Sequence, residues 1–146
     1  MVTVRVKKLN PSAVLPTSGS ACAAGYDLYA CLEAPVEVPP HGNTKIGTGL
    51  SVEIPDGYFG AVFARSGLAA KHCIRPSNCV GVCDSDYRGE YMVFMHNDSD
   101  VPYTVNPGDR IAQLVVMPYL AVNFEETDEE LSQTGRGSAG FGSTGR

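Results

Sequence analysis

The amino-acid sequence predicts an all-β domain, jelly-roll-like with a barrel or sandwich architecture, and three observations support this prediction. Short runs of alternating apolar and polar residues recur along the chain, with turn-forming residues between them. The 146 residues include 10 prolines and 16 glycines, which suit short strands and interrupt long helices. Only one short segment has the character of a helix. A chain of this length is sufficient for one domain that buries about two thirds of its unfolded surface.

The most regular strand pattern lies between residues 46 and 54. Isoleucine, threonine, leucine and valine occupy every second position there, with glycine, serine and glutamate between them. This period of two predicts one strand with a single buried face. Further predicted strands end in turns such as Pro55-Asp56-Gly57 and Asn106-Pro107-Gly108-Asp109. These strands cover residues 58–64, 90–96, 101–105, 111–117 and 120–124.

One short helix is predicted over residues 66–72, with Ser66 as its N-cap. Beyond residue 124 the chain becomes acidic and then rich in glycine, serine and threonine. We therefore divide the chain into a β-structured core, residues 1–124, and a C-terminal arm, residues 125–146. The composition of the arm is typical of disorder, whereas Phe141 between Arg136 and Arg146 favours an arm that orders over a ligand.

The overall charge limits the class of ligand. The formal net charge is −5, whereas general DNA or RNA binding needs a positive field, so we expect no nucleic-acid partner. No apolar run approaches the length of a membrane span, and the N-terminus lacks the apolar block of a signal peptide. We therefore expect a cytoplasmic protein with no membrane partner. The five cysteines at irregular spacings predict reduced, mostly buried thiols that act as small apolar residues, rather than disulfides or a zinc site.

Two clusters in the middle of the chain have the composition of ligand sites. Ala64-Arg65-Ser66-Gly67 precedes the predicted helix, and its N–H groups, guanidinium and hydroxyl suit an anion. Simple helix capping is the alternative interpretation. Residues 81–90 place a carboxylate-rich turn between two apolar stretches, which predicts a hairpin. Asp84 in that turn either is a general base in a partly apolar pocket or simply faces water.

Two further clusters lie towards the C-terminus. Gly108-Asp109-Arg110 predicts a turn with a local ion pair. It leads into a strand in which Gln113 either bonds to backbone or points at a ligand. Residues 136–145 combine glycines, hydroxyls and one aromatic ring, which suit close approach to phosphate oxygens and stacking on a base. This segment lacks the GxxxxGK[ST] pattern, so we do not expect a Walker loop.

Together with Ala24-Gly25-Tyr26-Asp27-Leu28, these four clusters resemble the five ordered motifs of the trimeric dUTPase family. The resemblance covers residues 24–145. It implies a jelly-roll-like subunit with one short helix and a C-terminal arm, assembled as a homotrimer with active sites at the subunit interfaces. The implied reaction is the hydrolysis of dUTP to dUMP and pyrophosphate, which supplies dUMP for dTMP synthesis and keeps uracil out of DNA.

The resemblance also implies roles around the base and the sugar. Asp84 would activate a water molecule for attack on the α-phosphorus, and Tyr87 would pack against the deoxyribose and exclude a ribose 2′-hydroxyl. Uracil is expected in a slot beside Asp84 and is read largely through backbone groups. The residues of that slot are Asn78, Gly81, Val82, Cys83 and Met92.

Phosphate and metal binding are implied at other positions. Mg²⁺ is the implied cofactor, held mainly by the triphosphate and by water. Asp27 matches the family carboxylate that orients this hydrated ion without being a direct ligand. Phe141 would stack on the uracil and close the site. The expected phosphate contacts are Arg65, Ser66, Gly67 and Gln113 in the core and Arg136, Gly142 and Ser143 in the arm.

The sequence departs from the family pattern at two positions and leaves three alternatives open. Cys83 stands where isoleucine is frequent, and Ala139 stands where glycine is commoner. One alternative is a dCTP deaminase or a bifunctional relative, which would release ammonia from dCTP. A non-catalytic regulatory module on the same fold would bind dUTP without cleaving it. A structural jelly roll such as a capsid protein would have no nucleotide affinity.

Overall fold

The structure confirms the predicted all-β architecture. The computed structural model describes residues 2–140. In this part of the chain twelve short strands form four antiparallel sheets, and there is one helix. The largest sheet has the strand order β2-β3-β12-β7-β9, the second has the order β5-β10-β8, and the pairs β1-β6 and β11-β4 complete the fold. The strands are β1 (Arg5–Lys8), β2 (Thr17–Ser18), β3 (Tyr26–Tyr29), β4 (Val36–Val38), β5 (Asn43–Gly47), β6 (Leu50–Glu53), β7 (Tyr58–Phe63), β8 (Ile74–Pro76), β9 (Val80–Cys83), β10 (Met92–Asn97), β11 (Tyr103–Val105) and β12 (Arg110–Pro118), and the helix is α1 (Ser66–His72).

One hydrophobic core holds the four sheets together. Leu28 of the largest sheet, Ile46 of the second, and Val38 and Val52 of the two pairs are fully buried in a single cluster. Each such side chain contributes roughly 1.5–3 kcal/mol when it leaves water. The expectation of mostly buried cysteines is wrong, because Cys22, Cys73 and Cys79 are exposed and Cys31 and Cys83 are only half-buried. No helix among residues 2–140 has the length and apolar character needed to cross a membrane.

The predicted strand over residues 46–54 has the expected buried face but is interrupted. Every second residue from Ile46 to Ile54 is buried, as the alternation predicts. The single strand is nevertheless wrong, because Gly49 adopts a φ of +66°, outside the extended region, and separates β5 from β6. Thr48, just before this break, is held by its Oγ1, which donates to the Tyr91 carbonyl at 2.7 Å.

The helix forms where predicted, but its N-cap does not. Arg65 occupies the N-cap position with extended backbone, and no side chain caps the first turn. Ser66 is already the first helical residue, so the prediction of a Ser66 cap is wrong. The helix ends at Cys73, whose left-handed backbone lets its N–H bond back to the Ala69 and Leu68 carbonyls.

The predicted hairpin over residues 81–90 is also wrong. Strand β9 pairs with β7 in the largest sheet, whereas β10 pairs with β5 and β8 in the second. The carboxylate-rich turn therefore joins two different sheets. This connection places the turn at an opening between the sheets instead of at the tip of a ribbon.

The predicted strand over residues 120–124 is absent. No described residue pairs with this segment, and regular structure among residues 2–140 ends with β12 at Pro118. Leu120, Val122 and Phe124 alternate with other residues in the sequence and are 83%, 60% and 93% exposed. Exposed apolar residues grouped in this way are typical of an interface with another chain.

Candidate active site

A cavity of about 460 Å³ opens between the two larger sheets, beside the turn that joins β9 to β10. Strand β9, strand β10 and the turn between β8 and β9 form its walls. Seven residues that the sequence singled out lie together in its lining, namely Asn78, Gly81, Val82, Cys83, Asp84, Tyr87 and Met92. The residues predicted for the uracil slot therefore lie around one cavity.

The turn at residues 84–87 places a carboxylate and an aromatic ring on one side of the cavity. The Tyr87 N–H donates to the Asp84 carbonyl at 3.2 Å and closes the turn. The Tyr87 hydroxyl donates to the Glu90 carbonyl at 3.1 Å. A side chain at Gly89 would overlap the Tyr87 ring, so this glycine lets the ring lie against the backbone. Asp84 is exposed, and no side-chain hydrogen bond ties its carboxylate to the described residues.

Two polar groups, the buried Tyr91 hydroxyl and the half-buried Cys83 thiol, lie in the floor of the cavity. Burial raises the pKa of the Tyr91 hydroxyl well above its ordinary value of 10, with a smaller contribution from the neighbouring Cys83 thiol. Burial likewise raises the pKa of Cys83 above 9.0, so the thiol stays protonated at neutral pH. The Tyr91 hydroxyl, which is buried, has no hydrogen-bond partner among residues 2–140. The floor beneath Asp84 is therefore uncharged and weakly polar.

A second cluster of predicted residues forms at the start of helix α1. Arg65 Nε donates to Asp27 Oδ1 at 2.7 Å, and Arg110 Nη1 donates to Asp27 Oδ2 at 3.2 Å. The Asp27 and Arg65 side chains are only 17% and 24% exposed. Gln113 Nε2 donates to the Ala64 carbonyl at 2.8 Å. Ser66 and Gly67 begin the adjacent helix and are exposed.

This second cluster, which we call the Asp27 cluster (Asp27, Arg65, Arg110 and Gln113), contains one contact that the sequence did not indicate, between Arg110 and Asp27. The predicted local ion pair of Asp109 with Arg110 is wrong. Asp109 instead accepts hydrogen bonds from the N–H and the side chain of Asn106. Arg110 reaches back to Asp27 on the neighbouring strand.

Gly25 leaves space for the glutamine of the Asp27 cluster. A methyl group at Gly25 would lie 2.5 Å from Gln113 Oε1. The Gln113 amide nitrogen bonds to backbone, which agrees with the first alternative raised for this residue. Gln113 is also the register partner of Asp27 across β3 and β12, so the second alternative, a contact with a ligand, stays open. The glycine is thus required for the position of a candidate ligand group.

Residues 2–140 do not build a metal site from protein side chains alone, because no group of three His, Cys, Asp or Glu residues in this part of the chain is suitably placed. Asp27 offers a single carboxylate, and both of its oxygens bond to arginines. Such a donor set fits a hydrated ion carried by a phosphate ligand better than a bare cation.

The C-terminal arm is described only as far as residue 140. In this portion Arg136 Nε donates to the Ala139 carbonyl at 2.9 Å, and the segment is exposed throughout. Arg136 does not line the cavity. The predictions for Phe141, Gly142 and Ser143 lie outside the described residues.

Seven residues of the cavity lining were not among the predicted site residues, namely Val62, Pro76, Ser77, Glu90, Tyr91, Val93 and Phe94. Phe94 follows Met92 by two positions on β10, and both side chains are exposed. The strand alternation could therefore have predicted that Phe94 lies on the same face as Met92. Tyr91 lies in the core, and no sequence pattern indicated that it also reaches the cavity.

The site combines an open cavity with apolar walls, one free carboxylate and a guanidinium cluster. These features are typical of a β-structured protein that binds a small anionic ligand with a planar apolar part. A sequence profile of the dUTPase family matches residues 12–145. The chain therefore belongs to the dUTPase family.

Individual relatives agree with this assignment over almost the whole chain. The deoxyuridine 5'-triphosphate nucleotidohydrolase of Syntrophotalea carbinolica is 46% identical over 144 residues, covering 99% of this chain and 97% of the relative. The protein of that name from Oryza sativa subsp. japonica is 48% identical, covering 97% and 80%. Among solved structures, the Staphylococcus bacteriophage 80alpha dUTPase with dUPNHPP superposes with a TM-score of 0.89 at 28% identity, covering all of both chains. A dUTPase mutant from phage phi11 of S. aureus, reported with a structural Mg(II) ion, has a TM-score of 0.78 at 25% identity, covering 88% and 98%.

Proposed function

We propose that this protein hydrolyses dUTP to dUMP and pyrophosphate, with Asp84 as the general base. The observation that carries the proposal is the turn at residues 84–87, which presents a carboxylate and a tyrosine ring to one cavity. Water is a poor nucleophile at neutral pH, and a positioned base is typically worth 10²–10⁴-fold in rate. The carboxylate is free to accept a proton from the water that attacks the α-phosphorus.

The shape of the cavity supports selection of the base and the sugar. The Tyr87 ring is fixed by its hydroxyl bond to Glu90 and by Gly89 beneath it, so a fixed aromatic wall faces the sugar. A ribose 2′-hydroxyl would collide with that wall, whereas deoxyribose would fit. Val82 and Met92 supply apolar contacts for a uracil ring, and the backbone near Gly81 supplies its hydrogen bonds.

The Asp27 cluster supports a role in phosphate binding. Arg65 and Gln113 supply donors there, and hydrogen bonds to charged groups contribute about 1.5–3 kcal/mol each. None of the phosphate residues predicted in the core lines the 460 Å³ cavity. The cavity of one chain thus lacks the predicted phosphate donors, which supports a homotrimer in which another copy supplies them at the subunit interface.

The arm and the metal complete the proposed site. The exposed face of Leu120, Val122 and Phe124 suits a contact with a neighbouring subunit. Such a contact would carry residues 125–146 across to another site, where the arm would close over the nucleotide. Mg²⁺ would neutralise phosphate charge, and Asp27 would hold its water shell. The five free thiols are compatible with a reducing compartment, and we propose the cytoplasm.

The decisive experiment compares two aspartates in one turn. Asp84→Asn should bind dUTP normally and lose at least 10²-fold in turnover, because a missing general base removes that factor. Asp86→Asn makes the same change of charge two residues away, outside the cavity lining, and should keep near-normal turnover. Pyrophosphate release from dUTP measures both. Equal turnover in the two variants would remove Asp84 as the base.

Substrate selection has its own matched pair of variants. Tyr87→Ala should raise activity on UTP relative to dUTP, whereas Tyr87→Phe keeps the ring and should keep the preference. Deleting residues 136–146 should leave a trimer in light scattering but abolish most turnover. A monomer after that deletion would instead assign the arm to assembly.

A further inference from the structure

The turn at residues 76–79 contributes Pro76, Ser77 and Asn78 to the lining of the cavity. Its Cys79 N–H donates to the Pro76 carbonyl at 3.0 Å, and Cys79 has a left-handed backbone with φ of 62°. Non-glycine residues adopt this conformation only when the surrounding structure enforces it. Asn78, at the tip of the turn, has its amide nitrogen 3.3 Å from where a methyl group on Gly81 would lie. The strained turn thus positions Asn78 over strand β9.

Arg75 supplies part of that enforcement. Its Nη1 donates to the Pro76 and Ser77 carbonyls, each at 3.3 Å, and to the Cys79 sulfur at 3.6 Å. One guanidinium nitrogen therefore lies against three acceptors of the same turn. Such convergence needs the planar, branched head group of arginine, since the ammonium of lysine is a single point.

Asp98 holds Arg75 in that position from the loop that follows β10. Arg75 Nε donates to Asp98 Oδ2 at 2.7 Å and Nη2 donates to Oδ1 at 3.0 Å, a two-point contact. The Asp98 backbone is itself fixed, because its N–H donates to the Cys73 carbonyl at 2.9 Å. The carboxylate and the guanidinium are therefore locked relative to each other.

The base of the turn has an independent anchor. The Ser77 N–H donates to the Phe94 carbonyl at 2.7 Å, and the Ser77 hydroxyl donates to Asn43 at 2.6 Å. Loss of Arg75 or Asp98 should therefore loosen the tip of the turn without detaching it from β10. The fold should survive while the wall of the cavity becomes mobile.

We propose that the Arg75–Asp98 pair is a positioning device that holds the Asn78 turn in its binding conformation and thereby sets affinity and selectivity for the nucleobase. This inference rests on the proposed placement of uracil in the slot. The pair acts on substrate binding and not on the chemical step, because Asp84 lies in a separate turn with its own closing bond. If only one fifth of the molecules held the competent turn, the apparent dissociation constant would rise about fivefold.

The chain offers a closely matched control for the carboxylate. Asp100 lies in the same turn as Asp98 and pairs with His41 at 2.8 Å, on the surface and away from the cavity lining. Asp98→Asn and Asp100→Asn therefore remove the same charge from the same turn. We expect KM for dUTP to rise about fivefold in Asp98→Asn, as the population argument above gives, with kcat unchanged. Asp100→Asn should match the wild type in both.

Three further variants test how the effect is transmitted. Arg75→Ala should raise KM at least as much as Asp98→Asn, and the double variant should be no worse than Arg75→Ala alone, because both act through one contact. Arg75→Lys should fall between wild type and Arg75→Ala. Cleavage of dCTP and dTTP relative to dUTP should increase in Arg75→Ala, since a mobile wall excludes the wrong base less well.

Each outcome separates this inference from the proposed function. Equal KM values in Asp98→Asn and Asp100→Asn would overturn the role of the pair, as would a parallel fall of kcat and thermal stability with KM unchanged. Asn78→Ala serves as the reference, because it removes the group that the turn presents. If Asn78→Ala also left KM for dUTP unchanged, the proposed placement of uracil would be at fault.

Discussion

Replacing Asp27 with asparagine tests how much the Asp27 cluster contributes to stability and to phosphate binding. The substitution keeps the shape of the side chain and one oxygen acceptor, but it removes the charge between Arg65 and Arg110. Two unit charges about 4 Å apart interact by roughly 4 kcal/mol at an effective dielectric constant near 20. Because the two paired side chains are 17% and 24% exposed, solvent screening reduces this value, and we expect a loss of about 2 kcal/mol.

Urea unfolding measures that loss directly. A slope of about 2 kcal/mol/M is typical for a chain of this size, so the midpoint should fall by about 1 M. Protein concentration must be the same in all samples, because an oligomer is stabilised by mass action. Asp56→Asn is the matched control, since it removes one exposed carboxylate from the turn before β7, and its midpoint should not move.

The same variant should also impair catalysis. Arg65 would lose the carboxylate that fixes its side chain, and kcat/KM for dUTP should fall roughly 10–100-fold, equivalent to about 1.4–2.8 kcal/mol. If Asp27→Asn unfolded at the same urea concentration as Asp56→Asn, the pairing would contribute nothing to stability. Unchanged kcat/KM would show that Arg65 is not held for phosphate binding.

Three further predictions use other parts of the structure. Gly25→Ala should lower kcat/KM for dUTP about tenfold with little change in melting temperature, because the new methyl group would displace Gln113, equivalent to roughly 1.4 kcal/mol; steady-state kinetics checks it. Cys83 should react with a thiol reagent at pH 8 more slowly than the exposed Cys73, because burial raises its pKa; mass spectrometry of labelled peptides checks it. Arg75 lowers the pKa of Asp98 below its ordinary value of 3.8, so the ion pair stabilises the fold above that pH and is lost as the pH falls through the lower, folded value. The difference in urea midpoint between wild type and Asp98→Asn should therefore shrink below about pH 3.8, as unfolding at several pH values would show.

Half of the cavity lining was predicted, from the family resemblance, and these residues lie close together in the chain. Asn78 to Tyr87 form one stretch of two turns and one strand, and a short stretch with its own turn chemistry keeps its arrangement in many contexts. The partner of strand β9 could not be inferred in the same way. Local alternation favoured a hairpin of β9 with β10. In the structure β9 pairs with β7, which carries Val62, and β10 pairs with β5, which carries Ile46. These two sheets pack against one common core.

Long-range polar contacts were the part that sequence patterns could not supply. Arg110 contacts Asp27 across 83 positions, and Arg75 contacts Asp98 across 23. Charged residues are frequent on surfaces, so their pairing depends on which strands become neighbours and has no periodic signature. Residues 120–124 show a different failure of prediction. Their apolar and polar residues alternate in the sequence as in a strand, but no described strand of this chain pairs with them.

The net charge of −5 and an anionic substrate are compatible because of how the charges are grouped. In the Asp27 cluster two guanidinium groups share one carboxylate, so the cluster keeps a local positive charge despite the acidic chain. A carboxylate partner also holds Arg65 in one conformation before substrate arrives, which lowers the entropy lost on binding. A triphosphate carries several charges against the single charge of Asp27, so it can compete for the same guanidinium groups. The acidic remainder of the chain then disfavours polyanions that need a wide positive surface, so we expect the proposed phosphate site to accept only small anionic ligands.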